Sequence, residues 1–170
     1  MIIFLFEMLI ILLASVALGS MPALKGRYPF PGSLIFFILL TIIPISIGLI
    51  VGAALFSWIS AFIFKLIVIL FALFIMFYFQ HLYHPSYGYV PYHKKGNWLI
   101  LSGFFFLLGI EFASYGFSAW FILLIVPISA AGVIGGFLFM RSALSYFRYL
   151  GVIHFVPLGL FLVVAILKLI

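Results

Sequence analysis

Residues 33–56 read SLIFFILLTIIPISIGLIVGAALF, an apolar run without a single charged side chain. A helix needs about 20 apolar residues to cross a hydrocarbon core of about 30 Å. This run is long enough to do so, and similar runs recur along nearly the whole chain. The run therefore predicts a transmembrane helix, and its recurrence predicts several.

The overall composition excludes a water-soluble globular protein. Of the 170 residues, 69% are hydrophobic and 6% are charged, and the mean hydropathy is +1.52. Soluble domains carry roughly a quarter charged residues, so this chain cannot cover a surface that faces water. The predicted fold class is an all-α, polytopic membrane helix bundle, a single integral membrane domain over residues 1–170.

Six spans follow from the apolar runs and from the connections rich in Pro and Gly between them. They are predicted at residues 2–18, 33–56, 59–80, 98–115, 119–140 and 150–170. With six spans, the first, third and fifth connections share one side and hold Lys25, Arg27, Lys94, Lys95, Arg141 and Arg148. The positive-inside rule makes these loops cytoplasmic and both termini external, in a plasma membrane. We interpret the net charge of +6 as this topology signal, and no nucleic-acid partner is predicted.

Two stretches resemble each other: residues 42–56, IIPISIGLIVGAALF, and residues 125–139, IVPISAAGVIGGFLF. An ungapped shift of 83 residues aligns their Pro-x-Ser motifs, which start at Pro44 and Pro127. Spans two and five run in opposite directions, so this similarity predicts a 3+3 inverted repeat, an arrangement found in many secondary transporters. The two halves would be residues 1–84 and 85–170. The alternative is chance similarity between two apolar helices.

Three ionisable side chains interrupt the apolar spans, namely Glu7, Lys65 and Glu111. Counted along their helices, all three lie about 6–10 Å below the outer end of the bundle. Unpaired charges at such depth cost at least a few kcal/mol, so we expect Lys65 to neutralise one or both carboxylates. The layer predicts either an ion-coupling site or a static ion pair that pins helices.

Histidines form a second candidate group, and the spans place all four near the cytoplasmic face: His81, His84, His93 and His154. Neutral imidazoles can ligate a transition metal or a haem iron. The alternative is solvation by lipid headgroups and loop water. No cofactor is predicted, and haem or a transition metal remains an alternative.

The loop HLYHPSYGYVPYHKKGN combines aromatic and basic side chains that suit a membrane interface. It predicts contact with a partner subunit or with anionic headgroups through Tyr87, Tyr89, Tyr92, Lys94 and Lys95. An ordinary interfacial loop is the alternative.

Small residues predict close helix packing, within the chain or between subunits. They are Gly48, Gly52, Gly132, Gly135 and Gly136. Pro44, Pro127 and Pro157 are expected to interrupt their helices and free backbone carbonyl groups.

Three functions fit these features. The first is a non-catalytic subunit of a larger membrane complex, for example an energy-transducing one. The second is a small ion- or proton-coupled transporter or channel, acting as a homo-oligomer. The third is a haem- or metal-binding protein that uses His81, His84 and His154. The chain has no cysteine and only two acidic side chains, which argues against thiol and two-carboxylate enzymes.

Overall fold

The computed structural model describes residues 2–24, 31–56, 58–83, 95–146 and 151–169. Within these residues all regular structure is helical. The helices are α1 Ile2–Ala23, α2 Pro31–Leu55, α3 Ala61–Leu82, α4 Lys95–Ser114, α5 Ile122–Tyr146 and α6 Val156–Leu169. Short 3₁₀ turns, Ala119–Phe121 and Gly151–Phe155, precede α5 and α6.

Helices α1 to α5 are each long and apolar enough to cross a membrane. The prediction of an all-helical bundle with several membrane helices is thus confirmed. The sixth predicted span differs, because its α-helical part is only 14 residues long and follows the 3₁₀ turn. Pro157 is the second residue of α6, where its missing N–H removes no intrahelical hydrogen bond.

Large apolar side chains cover the outer face of the bundle. On α2, one stripe at helical spacing is exposed: Ile35, Leu39, Ile43, Ile47 and Ile50. The other face of α2 is buried in the bundle. Such a stripe suits lipid rather than water, because a soluble monomer seldom exposes a continuous apolar surface of this kind.

The six helices pack mainly in pairs. The most extensive contacts join α1 with α5 and α2 with α4. Helices α3 and α6 pack against each other, and they also contact α4 and α1, respectively. The aromatic core connects these layers: the ring of Phe104 in α4 contacts Phe71 in α3 and Phe161 in α6.

Glycines bring α1 and α5 into backbone contact. A Cβ atom at Gly136 would overlap the carbonyl oxygen of Val16, and one at Gly19 would overlap the carbonyl oxygen of Val133. Gly132 lies against Ser15 in the same interface. Only glycine permits this approach, so these residues fix the distance between the two helices.

Helices α2 and α4 meet in the same way. A Cβ atom at Gly48 would overlap the carbonyl oxygen of Phe106, and one at Gly109 would overlap that of Ile45. Gly52 lies against α4 one turn further along. The predicted glycines Gly48 and Gly52 thus pack within the chain.

The residues aligned by the shift of 83 have different surroundings. Pro44 is buried, whereas Pro127 is exposed. Gly52 is buried against α4, whereas a Cβ atom at Gly135 would meet no described atom within 4 Å. The shift of 83 therefore superposes a buried face on an exposed one. Pro44 and Pro127 also lie inside continuous helices, so the expectation that they interrupt them is wrong.

Candidate functional site

Three charged side chains meet inside the bundle. Lys168 Nζ lies 2.5 Å from Glu7 Oε2 and 2.7 Å from Glu111 Oε1. The exposed fractions of these side chains are 1% for Lys168, 3% for Glu7 and 0% for Glu111. A single ammonium group therefore bridges two carboxyl groups that are shielded from solvent. We call Glu7, Glu111 and Lys168 the charge cluster.

The charge cluster lies at one end of the bundle, because α1 begins there and α4 and α6 end there. Glu7 is in the second turn of α1, Glu111 in the last turn of α4 and Lys168 at the last but one residue of α6. We call this the charged end. Since each residue comes from a different helix, the cluster forms only when the three helices pack together.

The C-terminus of α4 sets the position of Glu111. Gly116 has a φ of 81° and its N–H donates to Ala113, while the Phe117 N–H donates to the Phe112 carbonyl. This is a Schellman motif, and glycine is favoured at the left-handed residue. The Phe112 and Phe117 rings, 5.3 Å apart, supply its usual apolar contact. The motif ends the helix one turn after Glu111.

Tyr115, the residue that precedes Gly116, connects the charge cluster with the end of the bundle. Its hydroxyl group interacts with the Glu111 carboxyl group, and its side chain is half-buried. Burial, followed by the nearby charges of Glu111 and Glu7, raises the pKa of Tyr115 to about 12. The hydroxyl group therefore keeps its proton at neutral pH and can act as a donor.

Glu111 lacks complete hydrogen bonding. Beyond the ion pair with Lys168, neither of its buried oxygens has a hydrogen bond of good geometry within the described residues. Buried carboxylate oxygens normally have partners. When both carboxyl groups are ionised, the one ammonium group leaves the charge cluster with a net negative charge. One further positive charge, in the form of a proton or a cation, would neutralise it.

The counter-ion differs from the predicted one. Lys65 is only partly buried and, in the described structure, pairs with neither Glu7 nor Glu111, although it lies close enough to Glu111 to interact electrostatically. Lys168 takes that position instead. Lys168 lies on the inner face of α6, because the residues three, four and seven positions earlier on the same face, Ala165, Val164 and Phe161, are all buried.

A neutral polar pair lies at the other end of the bundle, which we call the opposite end. The Tyr78 hydroxyl group donates to Asn97 Oδ1 at 3.0 Å, between α3 and the start of α4. Asn97 is buried, and its Nδ2 has no hydrogen-bond partner among the described residues. Sequence reasoning missed this pair, because a single Asn and a single Tyr far apart in sequence give no pattern.

The structure describes two of the four histidines that were predicted to group together. His81 is exposed near the end of α3, and His154 is partly buried in the 3₁₀ turn before α6, with its ring 5.8 Å from that of Tyr83. His84 and His93 lie outside the described residues. In the described part of the chain, no three His, Cys, Asp or Glu side chains are grouped to hold a metal ion. Cofactor binding stays a prediction.

The aromatic and basic loop cannot be placed. Tyr87, Tyr89, Tyr92 and Lys94 lie outside the described residues, and for Lys95 the structure gives only its position as the first residue of α4. A role in binding a partner or lipid headgroups also stays a prediction.

No known protein family, curated protein or solved structure matches this chain. Its class therefore follows from its own fold and composition. Five long apolar helices, an apolar outer face and, among the described residues, charged side chains only in the interior or near helix ends define a multi-pass integral membrane protein.

Proposed function

We propose that this protein is a small secondary transporter, built from two inverted halves, whose charge cluster binds the coupling ion. The observation that carries the proposal is the burial of two carboxyl groups with one ammonium group between them. Intramembrane ionisable residues are costly and commonly mark ion pathways. A structural ion pair that only holds helices together needs one carboxylate for the Lys168 ammonium group, whereas this cluster has two carboxyl groups.

Six membrane crossings are part of the proposal. The 14 residues of α6 span about 21 Å, and the five residues of the 3₁₀ turn add about 10 Å. Together they match a hydrocarbon core of about 30 Å. The contact of Tyr83 with Phe155 at the opposite end and the ion pair of Lys168 at the charged end support a complete crossing. By the charge bias of the loops, the charged end faces outward.

The glycine contacts support an inverted repeat in which α1, α2 and α3 correspond to α4, α5 and α6. Gly19 meets the Val133 carbonyl between α1 and α5, and Gly109 meets the Ile45 carbonyl between α4 and α2. The second pair of contacts corresponds in the same way: Gly136 with Val16, and Gly48 with Phe106. A two-fold relation between the halves exchanges these contacts one for one.

Burial supports the same correspondence with a different alignment from the shift of 83. Buried and exposed positions coincide along most of each helix when α1 is moved by 90 residues onto α4, as Gly19 onto Gly109. The shift is 88 residues from α2 to α5, as Gly48 onto Gly136, and 89 residues from α3 to α6. The proposed repeat therefore relates helix faces that are buried in the same way. The Pro-x-Ser alignment of α2 with α5 differs from this alignment by five residues.

This arrangement suggests which parts of the bundle move relative to each other. The glycine contacts make α1 with α5, and α2 with α4, two closely packed units. The ion pair between Lys168 and Glu111 connects α6, which packs on α1, to α4 in the other unit. Binding of an ion at Glu111 would weaken this connection and favour opening at the charged end, as alternating access requires.

One argument for the predicted role as a subunit of a larger membrane complex, the presence of glycines for an interface between subunits, no longer applies. Gly48, Gly52, Gly132 and Gly136, whose small size also suits an interface between subunits, are occupied by contacts within the chain. The subunit role itself stays a prediction. Gentle purification from the native membrane, with identification of any proteins that co-migrate, tests it.

Flux measurements test the transporter proposal. Purified protein is reconstituted in vesicles with a trapped pH dye, and gradients of Na⁺, K⁺, Mg²⁺ and a mixture of common amino acids are imposed in turn. At least one gradient should drive movement coupled to proton or cation flux. Glu111→Gln should abolish the coupling, because it removes the carboxyl group that can exchange an ion. Lys65→Met is the matched control and should retain it. If no gradient drives coupled movement in the native protein, the proposal fails.

Accessibility measurements test the six crossings separately. The chain has no cysteine, so single-cysteine variants can be labelled without background. Ser118→Cys marks the charged end and Ser142→Cys the opposite end, since both positions are exposed. With a membrane-impermeant maleimide, Leu169→Cys should be labelled from the same side as Ser118→Cys. Labelling from the side of Ser142→Cys would show that α6 does not cross.

A further inference from the structure

We propose that the ion bound by the charge cluster is a proton, one per chain, shared between Glu7 and Glu111, and that the Tyr115 hydroxyl group relays it from the water at the charged end. This inference rests on the site of the proposed transporter and names its coupling ion. It is argued from charge balance, from the available ligands and from the position of Tyr115.

Charge balance requires one additional positive charge. Glu7 and Glu111 are the only acidic side chains in the chain, and Lys168 is the only ammonium group paired with them in the described structure. Lys65, on α3, acts on Glu111 at longer range and is partly exposed. A net negative charge in a site shielded from water is unfavourable. One proton on either carboxyl group leaves a neutral cluster.

A metal cation lacks ligands at this site. Ca²⁺ and Mg²⁺ take about six or more oxygen ligands, and Mg²⁺ keeps several of them as water, which a site shielded from solvent does not readily supply. Here Lys168 Nζ already occupies the space between the two carboxyl groups, within 2.7 Å of an oxygen of each. A proton needs only one carboxylate oxygen, and Glu111 has an oxygen without a hydrogen bond.

Tyr115 provides the connection to water. It follows α4 directly, is half-buried and interacts with Glu111 through its hydroxyl group. The hydroxyl group donates its proton to the Glu111 carboxylate and takes one from a hydronium ion on the aqueous side. One O–H bond breaks and one forms at Tyr115, one forms at Glu111, and the hydronium ion becomes water. Tyr115 is thus unchanged after each transfer.

Infrared spectroscopy of the native protein in a detergent that contains no carbonyl group tests this proposal. The carbonyl stretch of a protonated carboxyl group is distinct, and with two acidic side chains the spectrum has little background. As the pH is lowered, we expect a band equivalent to one protonated side chain per chain, which shifts in heavy water. Glu111→Gln and Glu7→Gln should each alter the band, and the double variant should lose it. The double variant leaves the buried Lys168 ammonium group without a carboxylate partner, so its fold is verified by circular dichroism before its spectrum is compared.

Tyr115→Phe tests the relay. Hydrogen-to-deuterium exchange of the carboxyl band should slow by at least about tenfold, because a positioned acid–base group typically accelerates proton transfer by about 100-fold or more. Tyr146→Phe, which removes an exposed hydroxyl group at the far end of α5, is the matched control and should leave the rate unchanged. An unchanged rate in Tyr115→Phe would refute the relay.

Two results would overturn the proton assignment. One is the absence of a protonated carboxyl band at every pH at which the protein is folded. The other is a rise in thermal stability with Na⁺, K⁺ or Mg²⁺ at constant pH that disappears in Glu111→Gln, which would assign a metal cation. The spectrum requires no flux, so a protein that shows the band but transports nothing would disprove the transporter and leave the proton site intact.

Discussion

Replacing Lys168 with methionine removes the only ammonium group that bridges Glu7 and Glu111. Methionine fills a similar volume and has high helix propensity, so the loss is mainly electrostatic. Removing one partner of a buried ion pair typically costs about 3–5 kcal/mol. For a chain of this size, that corresponds to a fall of about 6–20 °C in the midpoint of thermal unfolding.

Lys65→Met is the matched control, because it removes the other lysine near the charged end. Lys65 is partly exposed and pairs with neither glutamate in the described structure. A lysine of this kind extends its ammonium group towards the headgroups, so its loss should change stability by less than about 1 kcal/mol.

The assay is thermal unfolding in mild detergent, followed by the fluorescence of the three tryptophans. The loss in Lys168→Met should be largest at neutral pH and smaller in acid, because both carboxyl groups can then be neutral. Adding Glu111→Gln to Lys168→Met should recover part of the stability, since the two residues are coupled. If Lys168→Met is as stable as Lys65→Met at neutral pH, the description of the charge cluster is wrong.

Two further predictions concern packing. Gly136→Ala should destabilise the bundle by about 1–3 kcal/mol, because its Cβ atom would overlap the Val16 carbonyl oxygen, whereas Gly135→Ala should be neutral or stabilising by up to about 1 kcal/mol. Equal unfolding midpoints for these neighbours would contradict the α1–α5 contact. Tyr78→Phe should cost about 1 kcal/mol, because it removes the hydrogen bond to buried Asn97, and a native midpoint would show that the bond contributes nothing.

The sequence was most informative where a residue was chemically unusual for its surroundings. Glu7 and Glu111 stand out within apolar runs, so their importance was evident from the sequence. Their partner was not, because Lys168 lies at the end of the last predicted span, where a lysine usually reaches the interface. Lys65 is nearer to Glu7 in sequence and at a similar helical depth. The depth of Lys65 along the axis of α3 was predictable from the sequence, whereas the face of α3 on which it lies was not.

The similarity between residues 42–56 and 125–139 was also only partly informative. The matched Pro-x-Ser letters at Pro44 and Pro127 suggested correspondence between spans two and five, but they gave an alignment that the burial pattern does not support. One apolar side chain can replace another on a lipid-facing surface, so similar residues there say little about which positions of two helices correspond. Gly48 and Gly136 carry more, because each is in contact with a neighbouring backbone.

By itself, the sequence determined the solvent of this protein, since a chain that is 69% hydrophobic and 6% charged can be stable only where lipid covers its surface. It also determined the helical class, because a backbone in lipid must satisfy its hydrogen bonds internally. Tertiary structure alone decided which helices touch and which charges meet. Glu7, Glu111 and Lys168 are far apart in sequence, and only the packing of α1, α4 and α6 brings the Lys168 ammonium group within 3 Å of both carboxyl groups.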